Sequence, residues 1–150
     1  MDEMIDKIWL DGGALTGLVN NAAGNFISPT KDLSTNGFDA ISNIVFKGSF
    51  YVTHACGKRW IEEKTKASVI SILTTWVWNG GPYTVPSAMS KAGINIMTKS
   101  LAAEWGKYGI RLNAISPGPF PTKGAWDRLN PDKGTDEDLG NSSIPMGRNG

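Results

Sequence analysis

The chain has 150 residues, 40% hydrophobic and 19% charged, and 15 Lys and Arg against 14 Asp and Glu leave a net charge of +1. This suits one domain with a core and excludes intrinsic disorder, a nucleic-acid footprint and attraction to an anionic membrane. No apolar stretch nears the ~20 residues that span a bilayer, the acidic start at Asp2, Glu3 and Asp6 is unlike a signal peptide, and a single cysteine makes a cytoplasmic compartment the default.

Asp2 to Leu10 reads as a helix, with Met4, Ile5, Ile8 and Trp9 at helical spacing, and Asp11-Gly12-Gly13 stops it. Leu15 to Asn20 is a short apolar run that fits a buried strand, and residues 20–35 form a loop rich in Asn, Gly, Ser and Pro. Ser34-Thr35-Asn36 offers caps for a long helix over residues 37–64. Its apolar positions include Phe38, Ile41, Ile44, Val45, Phe50, Val52, Ala55 and Trp60. Gly48 sits inside this helix, where glycine costs about 1 kcal/mol against alanine, so another backbone is expected to approach there. Ser68 to Leu73 is the clearest strand, β-branched and nearly all apolar. After the Gly80-Gly81-Pro82 turn, a second long helix runs from Val85 to about Lys107, with Pro86 where a missing N–H costs nothing. Gly109 closes it, and Ile110 to Ser116 is a third strand. Beyond Pro117 the chain is rich in Pro and Gly, with a short helical piece near residues 125–129.

Strands alternating with long helices imply βαβ crossovers and a parallel sheet. The expected fold is α/β: one partial Rossmann-type, doubly wound domain over residues 1–150, with about three strands and two long helices. Ligands in such sheets sit at the carboxyl ends of the strands. Those ends are residues 20–25, 74–83 and 116–122, and the polar, glycine-rich loops all fall there, which points to a small-molecule site. His54 and Cys56, alone of their kinds, make no metal cluster and receive no chemical role.

Four segments in order resemble the short-chain dehydrogenase/reductase family, and within it the 2,4-dienoyl-CoA reductase-like branch. They are Asn20-Asn21-Ala22-Ala23-Gly24-Asn25-Phe26, Pro86-Ser87-Ala88-Met89-Ser90-Lys91-Ala92-Gly93, residues 101–108 (Leu-Ala-Ala-Glu-Trp-Gly-Lys-Tyr), and residues 113–124 with Pro117-Gly118-Pro119. The resemblance implies that Lys91 holds the ribose hydroxyls of a nicotinamide cofactor and lowers the pKa of nearby acids. Lys91 lies one helical turn after Ser87, so both face the same crevice.

Ser87 stands where most of the superfamily has a catalytic tyrosine, and a serine hydroxyl is too weak an acid to donate that proton. The reductase-like branch places its acid in the preceding strand-end loop, at a position that aligns with Trp76. Indole cannot supply a proton at neutral pH. Tyr83, in the same loop, either protonates directly, orders a water, or simply packs as a loop aromatic. Asn25 matches the asparagine that hydrogen-bonds a thioester carbonyl in the resembled branch; its other reading is an Asx-turn residue. Thr74, thirteen residues before Ser87, keeps a hydroxyl where the superfamily has an active-site serine. Asn21, Ala22 and Gly24 resemble the segment on the adenosine side of the cofactor, and Pro117, Gly118 and Thr122 the loop touching the nicotinamide. Trp76 and Trp78 alternate along an expected extended segment and either wall an acyl pocket or pack against helices or a partner subunit.

The implied cofactor is NADP(H), with NAD(H) possible, and the implied substrate an unsaturated acyl thioester. The family's glycine-rich pyrophosphate loop belongs well upstream of Asn20, whereas only residues 1–19 precede it here. The echo at Gly13 to Gly17 lacks the third glycine and runs into a strand. The expectation is a piece of a longer reductase, active only as the parent chain, in which the strand at 15–20 shows an unpaired apolar edge. A carbonyl or alcohol reductase is disfavoured by Ser87. A non-catalytic chain associating through its long helices is the remaining alternative, since those helices build the interfaces of family dimers and tetramers.

Overall fold

A computed structural model describes residues 2–120 and Met146. In chain order it contains α1 (Asp2–Gly12), β1 (Gly17–Asn20), α2 (Thr35–Ser42), a π-helical turn (Asn43–Lys47), α3 (Gly48–Glu62), β2 (Ala67–Ile72), a one-turn helix α4 (Trp76–Asn79), α5 (Val85–Trp105) and β3 (Ile110–Ile115). Thr122 and the helical piece expected near residues 125–129 lie outside the described residues.

The three strands form one parallel sheet in the order β1-β2-β3, with Asn20 opposite Ser71 and Ile72 opposite Ile115. Alternation along the strands sends Ala67, Val69, Ile110 and Leu112 to one face, where they pack with Ile5 and Trp9 of α1, Ala55, Cys56 and Trp60 of α3, and Trp105 of α5. The helices therefore cover one face of the sheet. On the other face Val19 and Ile115 are 62% and 52% exposed, and among the described residues β1 pairs on one side only, as the apolar edge predicts.

Of the apolar residues expected to anchor α1, only Ile5 and Trp9 are buried; Met4 and Ile8 lie on the outer side. Ser34 caps α2 by accepting a 3.0 Å hydrogen bond from the Gly37 amide. The long helix expected over 37–64 is interrupted by the π turn, and Ser49 Oγ donates to the Val45 carbonyl within it at 2.7 Å. Gly48 does not meet another backbone: a Cβ there would touch only the Asn43 carbonyl, at 3.5 Å. The close approaches fall at Gly57 and Gly93 instead. A Cβ on Gly57 would lie 2.3 Å from the Trp105 ring, so this glycine lets α3 and α5 pack through that indole. Gly57→Ala is expected to destabilise the full protein by about 1–3 kcal/mol through overpacking, read as a lowered Tm. An unchanged Tm would show that the indole can move aside.

Among the described residues, no helix is long and apolar enough to cross a membrane.

Candidate active site

The carboxyl ends of adjacent parallel strands lie side by side, so the loops after β1, β2 and β3 share one edge. Hydrogen bonds join these loops. The Ser28 amide donates to the Tyr83 carbonyl at 3.3 Å, and Ser116 Oγ donates to the Thr74 carbonyl at 3.4 Å. Behind them, Asn20 Nδ2 donates to Thr53 Oγ1 at 2.8 Å and to Ser71 Oγ at 3.4 Å, bracing β1 against α3 and β2. Thr53 and Ser71 escaped the reading of the sequence. Their signal was a hydroxyl inside an apolar helix face and another inside an apolar strand.

Helix α5 turns a partly polar stripe inward: Ser87, Ser90, Lys91, Ile94, Asn95 and Thr98 are all buried, at intervals of three and four. Lys91 is 5% exposed and donates from Nζ to the Ile72 carbonyl at the end of β2. Burial holds its ammonium below the ordinary lysine pKa, since low dielectric disfavours the charged form. An ammonium has three N–H donors, and Ile72 takes one.

Asn25 lies in the loop after β1. Its Nδ2 and Oδ1 are buried with no hydrogen-bond partner among the described residues, a costly state for an amide. Thr74 begins the loop after β2 and is half-buried, and its carbonyl accepts from Ser116 and from the Val77 amide. Asn21 and Ala22 are exposed, while Gly24 packs toward Ile41. Pro117 is half-buried and Gly118 exposed beyond β3.

Trp76 and Trp78 are not on an extended segment; they lie in α4. Gly80, in the left-handed region at φ 67°, turns the chain back after that single turn. The Trp76 ring then sits against Gly81, where a Cβ would come within 2.8 Å of its Nε1. Trp78 borders a groove of about 350 Å³ between α5 and β3, with the Lys99 ammonium 5.6 Å from its ring centre. Cys56 is fully buried, and desolvation pushes its thiol up to about 11, so it is inert at neutral pH.

A family model described as enoyl-(acyl carrier protein) reductase matches residues 1–150. The chain is 56% identical over 131 residues to a probable 2,4-dienoyl-CoA reductase, (3E)-enoyl-CoA-producing, of Caenorhabditis elegans, covering 87% of this chain and 42% of that protein. Its structure matches a short-chain dehydrogenase from Bacillus anthracis with a TM-score of 0.84 at 44% identity, over 99% of this chain and 56% of that one. The chain belongs to the short-chain dehydrogenase/reductase family.

It spans about half the length of the relatives it matches. Two structures of the same fold carry nicotinamide cofactors. One is a Burkholderia cenocepacia gluconate 5-dehydrogenase in complex with NADP and tartrate, with a TM-score of 0.90, 28% identity and coverage of 99% of this chain and 57% of that one. The other is an NAD+-bound xylitol dehydrogenase, with a TM-score of 0.88, 25% identity and coverage of 99% and 62%. The donor set of this short-chain dehydrogenase/reductase chain fits such a group, because among the described residues Lys91 uses one of its three N–H donors, on the Ile72 carbonyl at a buried strand end.

Proposed function

We propose that the full protein carrying this chain is an NADP(H)-dependent reductase of unsaturated acyl thioesters, similar in activity to the 2,4-dienoyl-CoA reductases. The buried amide of Asn25, unpartnered among the described residues, carries this reading, because it stands at the strand-end edge that Lys91 approaches from α5. An amide N–H aimed at a thioester carbonyl gains strength as that oxygen becomes an enolate, and burial magnifies the gain.

When bound, the nicotinamide supplies the hydride. The Lys91 ammonium, anchored on Ile72, has donors left for the ribose hydroxyls. Buried Ser87 orients substrate and cofactor without acting as an acid. The Trp76 indole is no acid either, so within this loop the Tyr83 phenol, directly or through a water, is the remaining proton donor. Thr74 supplies a hydroxyl at the mouth of the same crevice. Asn21, Ala22 and Gly24 on one side, and Pro117, Gly118 and Thr122 on the other, complete the proposed cofactor contacts, and Trp76 and Trp78 the proposed apolar wall. Exposed Ile44, Phe46, Phe50 and Tyr51, with Met89 and Ile96 of α5, favour a homo-oligomer joined through the long helices.

The test is Asn25→Ala in the full protein with a 2,4-dienoyl-CoA and NADPH. Loss of one oxyanion donor is expected to lower kcat about 10²- to 10³-fold while leaving the NADPH KM unchanged. Unaltered kcat would overturn the role of Asn25, and no turnover by the wild type would overturn the substrate.

A further inference from the structure

Tyr83 has a backbone φ of 64°, in the left-handed region that a non-glycine residue adopts only when its surroundings impose it. Its carbonyl accepts the Ser28 amide hydrogen bond. The next residue, Thr84, is 2% exposed and occupies the N-cap position of α5, its hydroxyl donating back to the Gly81 carbonyl at 2.9 Å and its carbonyl accepting from the Ala88 amide. Tyr83 therefore joins a rigid helix start to the Asn25 loop. That loop is also held on its other side, where Gly24 lies against Ile41 and the Phe26 ring presses close to Gly37. Asn25 sits between these anchors, its buried amide without a hydrogen-bond partner among the described residues.

We propose that Tyr83 is a positioning residue whose left-handed backbone, through the Ser28 amide, fixes Asn25 relative to the helix that carries Ser87 and Lys91. This rests on the proposed acyl-thioester function and adds to it: the role belongs to the Tyr83 carbonyl and is independent of the phenol. A side chain branched at Cβ resists positive φ, whereas glycine adopts it freely. Tyr83→Gly and Tyr83→Val both lack the phenol, so comparing them isolates the backbone. Ser28→Pro removes the N–H from the other end.

The experiment uses these three variants of the full protein, reading kcat with the acyl thioester, the NADPH KM and hydrogen exchange of the residue 28 amide. Displacing an orienting group by a fraction of an ångström costs about tenfold in rate, so Tyr83→Val is expected to lower kcat about tenfold below Tyr83→Gly, and Ser28→Pro about tenfold below the wild type, at an unchanged NADPH KM. The Ser28 amide should exchange slowly in the wild type and Tyr83→Gly, and fast in Tyr83→Val. Equal kcat values in the glycine and valine variants, or equal Ser28 exchange, would overturn the proposal. A parallel rise in the NADPH KM would overturn it too, by showing a general loss of structure. If the wild type turns over no acyl thioester, the functional reading fails and the positioning role with it, while Ser28 exchange still decides whether the hydrogen bond holds the two loops together.

Discussion

Replacing Lys91 by alanine in the full protein is expected to lower kcat/KM for NADPH-dependent reduction by two to four orders of magnitude. The residue is buried, its one hydrogen bond among the described residues goes to the Ile72 carbonyl, and no carboxylate pairs with it there. A cation held this way is an unfavourable feature of the fold, which sets up a second readout. Its folded pKa lies below the ordinary lysine value, so between the two the unfolded chain binds more protons and stability rises with pH. Lys91→Met should therefore be at least as stable as the wild type at neutral pH, should lose that rise, and should be inactive. Single-turnover oxidation of NADPH and urea unfolding at several pH values check both parts. Retained turnover in Lys91→Ala would remove Lys91 from the site.

Trp60→Ala is expected to cost about 3–5 kcal/mol of stability. Trp60 is fully buried in the cluster that joins α1, α3 and the sheet. Its Nε1 also donates to the Leu15 carbonyl at 2.7 Å, holding the segment that leads into β1. Truncation leaves a large cavity and a carbonyl without its donor. Urea unfolding of the full protein measures the loss. A cost below about 1 kcal/mol would mean that the helices close over the space.

The alternation of strand and helix was legible because it depends on local chemistry. The β-branched run from Ser68 to Leu73 is β2 within a residue, and Pro86 near the start and Gly109 at φ 78° bracket the long α5 segment. Lys91, Ser87 and Asn25 could be singled out because a family motif fixes them by spacing along the chain. The π turn, α4 and the true close approaches were not legible. Nothing local distinguishes Gly48, where a Cβ would make only an ordinary contact with the Asn43 carbonyl, from Gly57, pressed against an indole 48 residues away in sequence.

By itself, then, the sequence determined the order of the strands and long helices and the parallel α/β class, and it marked out Lys91, Ser87 and Asn25 as candidate site residues. The tertiary structure alone decided that Lys91 would end on Ile72, that Thr53 and Ser71 would receive Asn20, and that Tyr83 would take a left-handed backbone to meet Ser28. The physical reason is the range of the interactions. Helix and strand propensity act over a few residues, while a buried donor finds its acceptor only after the sheet has brought distant segments together.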